Sequence, residues 1–453
     1  MKRICNPNLP IVKEGWRGNI VIDGKFQNGA IPRNFPFADV FKWQFSRNPQ
    51  RKEKRDDAFE LQIQNFNPSA MQNNSIVWLG HASFLMKING ARLIIDPCFF
   101  KTLIPIKRNL PCSPDSLKSI NYLLVSHDHR DHFDKKSVKI LVENNPEIEA
   151  LIPLGGSRLF SEKALRNVKI QEAGWYQEYK LGYDIRIIFL PAKHWGRRAL
   201  RDANKTLWGS FLIIAGDTKI FFAGDTAYDE LLFKEIQNLF GDIDVCLLPI
   251  GAYSPQWFMS ESHTNPEEAA QIFLDLGGKV LIPMHYGTYD LSDEPPSEPI
   301  KRLRKYAVEK EITHKVKELA MGEEFLITNK EKESLKINTE ATARQPQTNG
   351  GLSKEQVLEH LKSNEVSTVT NALLYATLNF NDWIWIQDEC LKLANHQNVD
   401  IKGLAVTCLG HLARIHSSIN KAKVLPVLFD KLNDKDISGR AQDALDDIKM
   451  FAT

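Results

Sequence analysis

Apolar and polar positions follow three regimes along this chain. Up to about Asn74 the sequence is irregular and rich in Pro and Asn, with Phe35, Phe37, Phe41 and Trp43 scattered through it and no sustained helical or strand period. From Ser75 onward, short apolar runs of strand length alternate with polar turns and amphipathic stretches. Ser75–Leu79 and Ala91–Ile95 are predicted strands flanking a turn at Asn89-Gly90, a dipeptide suited to the left-handed backbone of a tight hairpin. Asn121–Val125 predicts another buried strand and Lys135–Asn144 a helix, followed by strands at Asp184–Leu190, Ser210–Ile214 and Lys219–Ala223. Then come a helix at Asp229–Leu239, a strand at Val245–Pro249, a helix at Pro266–Leu276 and a strand at Val280–Pro283. Several of these strands run into a residue type that binds metal, which predicts layered sheets with a site along one rim.

Between Asn329 and Gly351 the composition shifts to Lys, Glu, Thr, Gln and Asn, as in a linker. Beyond it the strand signal vanishes. Ser353–Met450 reads as about six helices, with apolar spacing such as Leu404, Val406, Cys408, Leu409 and Leu412. Breaks are predicted at Asn379-Phe380-Asn381, Asn398–Asp400 and Asn433–Asp436. The pattern resembles a short helical-hairpin array of the HEAT type. The expected organisation is a leader over residues 1–74 packed on an α/β domain over 75–328, a linker over 329–351 and a HEAT-like helical domain over 352–453.

A length of 453 residues fits two or three such units, and a hydrophobic fraction of 43% is enough for real cores. The formal net charge of +2 gives no bulk attraction to nucleic acid, so none is expected as a partner. The N-terminus has no apolar core of a secretory signal, and no apolar run reaches the ~18 residues that would span a bilayer. Six scattered cysteines without a Cys-x-x-Cys pair read as reduced thiols. Cytoplasm is therefore expected, with peripheral membrane contact left open. The basic run Lys42, Arg47, Arg51, Lys52, Lys54 and Arg55 reads as a solvated loop, with attraction to anionic lipid as the alternative.

Against this ordinary background one segment stands out. His127, His129, Asp131 and His132 lie within six residues at the end of an apolar strand, in Ser126-His127-Asp128-His129-Arg130-Asp131-His132. Neutral imidazole and carboxylate are ligands that Zn²⁺ prefers, and a loop leaving a strand can aim them together. His127 and His129, two apart, are placed to share one metal, while Asp131 and His132 turn toward a neighbouring position. A second metal needs further ligands, and His194 and His285, each following an apolar strand, qualify. It also needs a shared carboxylate. Ala-Gly-Asp-Thr occurs twice: Asp217 falls in a hairpin turn, whereas Asp225 leaves the end of a buried strand, so Asp225 is the expected bridge.

These residues, with Trp78-Leu79-Gly80-His81-Ala82-Ser83-Phe84, Ile95-Asp96-Pro97, Pro191-Ala192-Lys193-His194-Trp195, Phe222-Ala223-Gly224-Asp225-Thr226 and His285-Tyr286-Gly287-Thr288, resemble the metallo-β-lactamase superfamily. The likeness is greatest to the N-acyl-phosphatidylethanolamine-hydrolysing phospholipase D family, and spans about Ser75 to Ile327, with a weaker match at Arg33-Asn34-Phe35-Pro36. The resemblance implies an α/β fold, a four-layer α/β/β/α sandwich, followed here by the all-α domain. It also implies a dinuclear zinc phosphodiesterase acting on a phosphodiester or phospholipid-like substrate, with Mn or Fe as other candidate metals. His127, His129 and His194 would hold one ion and Asp131, His132 and His285 the other, with Asp225 shared. A hydroxide bridging the two ions would attack phosphorus, with Asp131 orienting it or taking its proton.

Around this core, His263 is a candidate for leaving-group protonation or phosphate binding. Tyr253 and Trp257 are candidates for the substrate mouth, and Arg197 (with Arg198) for phosphate. His81 reads as a structural, hydrogen-bonded histidine, and Asp96 as a supporting or turn residue. The alternative activity is hydrolysis of a carboxylic ester, lactone or thioester; a nuclease and a non-catalytic scaffold rank below it. The C-terminal helices are expected to bind a protein partner or mediate oligomerisation.

Overall fold

The computed structural model describes residues 1–28, 42–43, 46–100, 109–199, 201–327, 352–380, 382–416 and 418–451. Two compact units divide the chain, Met1–Leu335 and Lys336–Thr453. The expected linker over 329–351 and the leader segment containing Arg33, Phe35, Phe37 and Phe41 lie outside the described residues.

In the first unit, strands β1 (Lys2–Ile4), β2 (Asn19–Ile22) and β3 (Lys25–Phe26) form a small antiparallel sheet. A seven-stranded sheet contains β4 (Ser75–Gly80), β5 (Ser83–Ile88), β6 (Ala91–Ile95), β7 (Tyr122–Leu124), β8 (Glu149–Pro153) and β9 (Lys169–Ala173) in that order. A six-stranded sheet runs in sequence order through β10 (Gln177–Glu178), β11 (Arg186–Leu190), β12 (Ser210–Ala215), β13 (Thr218–Phe222), β14 (Val245–Pro249) and β15 (Val280–Met284). The last strand, β16 (Glu324–Leu326), returns to pair with β4 at the edge of the seven-stranded sheet. Both large sheets change from antiparallel to parallel pairing, at β6–β7 and at β13–β14.

Alternation along the strands builds four layers. Ile76, Trp78, Phe84, Met86, Leu93 and Ile95 share one apolar core with Ile188, Phe211, Phe222 and Leu247 of the other sheet. Their neighbours Val77, Leu79, Leu85, Ile94 and Leu123 face the opposite way, into a core with Val138 and Leu141 of the helix Lys135–Asn144. Successive strand residues point to opposite faces, so both faces of this sheet are buried. The six-stranded sheet is covered by the helices Glu230–Phe240, Pro266–Asp275 and Glu298–Glu309, whose Phe233, Ile236, Phe273 and Leu303 join the inner core. The result is an α/β/β/α sandwich.

The turn at Asn89-Gly90 has both residues at positive φ, 47° and 82°, as a two-residue hairpin with right-handed twist requires. It joins β5 to Ala91–Ile95, not Ser75–Leu79 as the predicted pair had it. Ser83–Ile88 carries no half-buried strand pattern because it is buried on both faces and lacks polar alternation. The predicted helices at 135, 229 and 266 start on side-chain caps at Asp134, Asp229 and Asn265, the last a reciprocal capping box with Glu268. The leader, expected to be irregular, carries β1 to β3 and the short helix Arg51–Asp56.

The second unit is helical throughout its described residues: Lys354–His360, Val366–Asn379, Trp383–Leu393, Val399–His416, Lys421–Lys431 and Ser438–Phe451. Leu373, Ile386, Cys390, Val406, Leu409, Val424 and Ala444 form its own core. The longest helix, Val399–His416, packs against Val366–Asn379, Trp383–Leu393 and Ser438–Phe451. Among the described residues no helix is long and apolar enough to cross a membrane.

Candidate metal centre

The site is assembled where strand ends open onto one rim of the sandwich. β7 delivers Ser126 and the loop His127–His132, β11 leads to His194, β13 to Asp225 and β15 to His285. His127, His129, His194 and Asp225 each offer a ligand atom, and these atoms lie within 4.8 Å of one another. His81, Asp131, His132 and His285 form a second such group. Asp225 reaches into both. Its Oδ1 is 3.1 Å from His285 Nε2, and its Oδ2 is 3.3 Å from His132 Nε2, 3.8 Å from His194 Nε2 and 3.9 Å from His127 Nε2. Its twin, Asp217, sits exposed in the β12–β13 turn.

Outer hydrogen bonds set which nitrogen of each ring faces inward. His194 Nδ1 donates to the Ser262 carbonyl at 2.8 Å, which leaves Nε2 as a lone pair. His132 Nδ1 donates to Asp96 Oδ2 at 2.7 Å, which turns Nε2 inward toward Asp225. His127 Nδ1 meets Ser126 Oγ at 2.9 Å, and that hydroxyl donates onward to Asp96. Asp96 is fully buried, and its Oδ1 also accepts the Ser126 N–H at 2.7 Å, so one carboxylate orients ligands of both groups. Asp96, expected to be a supporting residue, therefore carries more of the site than its strand-end position indicated.

The donor set fits cations. His129 Nδ1 faces His127 Nε2 at 2.9 Å and His194 Nε2 at 3.2 Å, where at most one proton could relieve two facing lone-pair contacts. Two nitrogens on one tetrahedral Zn²⁺ would stand about 3.3 Å apart. Asp225 Oδ1, though close to His285 Nε2, is buried without a well-aligned hydrogen bond. Burial, helped by neighbouring imidazoles, drives His127 and His194 well below the usual histidine range, and burial holds His129 at about 4. All three imidazoles are thus neutral at pH 7, the form that can bind a cation. For Asp225 and Asp131 burial acts to raise the pKa, but facing histidines, His132 foremost, hold both well below the carboxylate range. His132 and His285 are shifted upward, His285 to about 9: burial opposes this, and the Asp225 and Asp131 carboxylates outweigh it. The two carboxylates thus draw positive charge to the second group, whether as protons on His132 and His285 or as a cation.

Comparison with known proteins follows this geometry. A beta-lactamase superfamily domain model matches residues 91–286. N-acyl-phosphatidylethanolamine-hydrolyzing phospholipase D 1 of Caenorhabditis elegans is 33% identical over 241 residues, covering 50% of this chain and 68% of that protein. The chain belongs to the metallo-β-lactamase superfamily of metal-dependent hydrolases. Within that superfamily, the mitochondrial N-acyl-phosphatidylethanolamine-hydrolyzing phospholipase D of Saccharomyces cerevisiae is 30% identical over 320 residues, covering 67% of this chain and 63% of that protein. A metal-dependent hydrolase of Pyrobaculum aerophilum is 30% identical over 228 residues, covering 49% of this chain and 88% of that one. The chain thus spans about two thirds of the length of these phospholipase relatives.

The superfamily site has further residues at its margin. His81, expected to be structural, puts Nε2 3.0 Å from Asp131 Oδ2, and its ring centroid lies 3.9 Å from that of His285. Its hydrogen bond is as expected, but the bond is to a residue of the centre. His81 and His285 both have positive φ, 54° and 65°, and the His285 N–H donates to the His81 carbonyl at 3.1 Å. The same strand-end rule that singled out Asp225 would have found it, since His81 follows β4 directly. His263 Nδ1 lies 3.8 Å from Asp225 Oδ2, and burial lowers its pKa to about 4.

Tyr253 is buried, donates to Glu298 at 2.7 Å and stacks on Arg302 at 4.7 Å, so its hydroxyl is committed to packing. Trp257 is 48% exposed with Lys42 Nζ 4.5 Å above its ring. Arg197 donates to the Ala199 carbonyl at 3.1 Å. Arg198 donates to three carbonyls of the His127–Phe133 loop.

Proposed function

We propose that this chain is a two-metal hydrolase of phosphodiesters, with a phospholipid-like substrate. One observation carries the two-metal reading: Asp225 stands between two donor groups, each within ligand reach of a single ion. His127, His129 and His194 would hold one cation, Asp131, His132 and His285 the other, and Asp225 would touch both. When bound, two divalent ions, Zn²⁺ by the donor chemistry, acidify water and neutralise charge on phosphoryl oxygens.

The chain's own residues supply the rest. Asp131, ionised and hydrogen-bonded to His81, accepts the proton of the attacking water at Oδ2. His263, beside Asp225 and on the open side of the site, hydrogen-bonds the departing oxygen. Asp96 and Ser126 keep the imidazoles in register. Likeness to the nematode and yeast phospholipases D supports a phosphodiester as substrate.

The thiol state of the cysteines supports a cytoplasmic location. The exposed helix Arg51–Asp56 and Trp257 support peripheral contact with anionic lipid. For the second unit we propose a HEAT-like array that binds a protein partner, supported by the exposed Ile384 and Phe429.

Metal analysis paired with turnover of bis(p-nitrophenyl) phosphate, an N-acylated phosphatidylethanolamine and a lactone panel tests this reading. Two equivalents of metal with phosphodiester cleavage is the expected result. Hydrolysis of lactones alone would replace the phosphodiesterase assignment with the carboxylic ester one.

A further inference from the structure

His127 and His129 leave one strand end and His194 another, yet their ring nitrogens converge to 2.9 and 3.2 Å. Two arginines tie the loops that carry them. Arg198, four residues after His194, places Nη1 2.8 Å from the Phe133 carbonyl, 3.0 Å from that of Asp128 and 3.3 Å from that of His129. Its guanidinium also lies 5.4 Å from the centre of the Phe133 ring. Arg158 pairs with the Asp128 carboxylate through Nη2, and donates to Thr206 Oγ1 at 2.7 Å and Asp202 Oδ2 at 3.2 Å. Asp202 completes the circuit: its Oδ1 accepts the N–H groups of Arg198 at 3.1 Å and Ala199 at 2.7 Å.

The packing under this circuit is tight. A Cβ placed on Gly196 would stand 2.8 Å from Asp128 Oδ1, so the two loops touch at the residue between His194 and Arg198. Asp128 is fully buried and held against Arg158, which keeps the His127–His129 backbone from rotating. A planar guanidinium can serve several carbonyls at once, which an ammonium on a flexible stem does less well.

Resting on the two-metal reading above, we propose that Arg198 is a positioning residue for the first cation group: it fixes the carbonyl side of the His127–Phe133 loop against the His194 loop, and so sets the affinity for one of the two metal ions. It touches neither the ion nor the substrate.

The test is titration of metal-free full-length protein with Zn²⁺ against a chromophoric chelator, with the melting temperature of the metal-free form recorded in parallel. Arg198→Met keeps the apolar stem and removes the donors. It is expected to weaken one equivalent by about 10- to 100-fold and leave the other unchanged. Arg158→Met is expected to act on the same equivalent, and Arg166→Met, at an exposed residue that donates to the Ser161 carbonyl, on neither. Arg198→Lys should recover only part of the loss. Two equivalents bound by Arg198→Met with wild-type affinity would overturn the proposal, as would an equal loss of both equivalents together with a collapsed metal-free melting temperature. If Arg198→Met does not fold, Arg158→Met decides by the same criteria. Fewer than two equivalents in the wild type would instead remove the two-metal reading.

Discussion

Asp225 touches His285 Nε2 with one oxygen, at 3.1 Å, and turns the other toward His194 Nε2 at 3.8 Å. No other strand end places a single carboxylate so close to both histidines among the described residues. Asp225→Ala is therefore expected to lower affinity for both metal equivalents and to abolish hydrolysis. Asp217→Ala, in the matching Ala-Gly-Asp-Thr sequence but at an exposed hairpin turn, is expected to change neither. Metal stoichiometry of the two variants side by side checks this, and a normal metal count in Asp225→Ala would contradict it.

The histidine cluster was legible because a strand followed at once by His-x-His-x-Asp-His has few other uses. The same logic reached His194, Asp225 and His285, each within four residues of the end of an apolar strand. It missed what depends on pairing between distant segments. Ser83–Ile88 hides as a strand because both of its faces are buried and the alternation that marks a half-buried strand is absent. β8 and β9 close the parallel side of the sheet, and their short sequences carry no turn signal of the hairpin kind. Arg198 reads in sequence as a solvated side chain, with phosphate binding as the alternative, and only the tertiary structure turns it toward three carbonyls. Asp96, one residue beyond β6, is expected as a supporting or turn residue, but that it serves both His132 and Ser126 depends on a contact with the neighbouring strand's loop.

Asp131 separates binding from chemistry. Its Oδ2 lies 3.0 Å from His81 and 3.6 Å from both His132 and His285. Asp131→Asn keeps the shape and an oxygen ligand but removes the proton acceptor. Part of the metal is expected to remain while kcat falls by roughly a hundredfold to ten-thousandfold. Full activity in this variant, measured at saturating metal, would remove Asp131 from the role.

Asp57 gives a pH dependence away from the metal centre. Its Oδ2 accepts the Ser297 N–H at 2.8 Å, at the start of the helix Glu298–Glu309, and its Oδ1 accepts the Phe59 N–H at 3.0 Å. Partial burial pushes its pKa up, but the hydrogen bonds from Ser297 and Phe59 prevail and hold it below the ordinary 3.8. A carboxyl depressed on folding contributes stability above its unfolded pKa and loses it as pH falls through the folded value. Asp57→Asn should therefore melt lower than the wild type at pH 7, with the gap closing below about pH 4. A gap that is unchanged at pH 3 would show that the carboxylate charge is not what matters.

The helical unit carries its own apolar core, with Leu373, Ile386, Val406, Leu409 and Val424 enclosed among its own helices. The residues of both metal groups, from His81 to His285, belong to the first unit. A chain ending at Gly350 is accordingly expected to fold, bind the same two equivalents of metal and hydrolyse a small phosphodiester at a rate within about threefold of the full chain, because each unit has its own core and the metal groups draw on the first alone. Activity on lipid vesicles is a separate readout, since a partner or membrane role of the helices would appear there first. Loss of small-substrate turnover in a truncation that melts cooperatively would assign the helical unit a direct part in the chemistry.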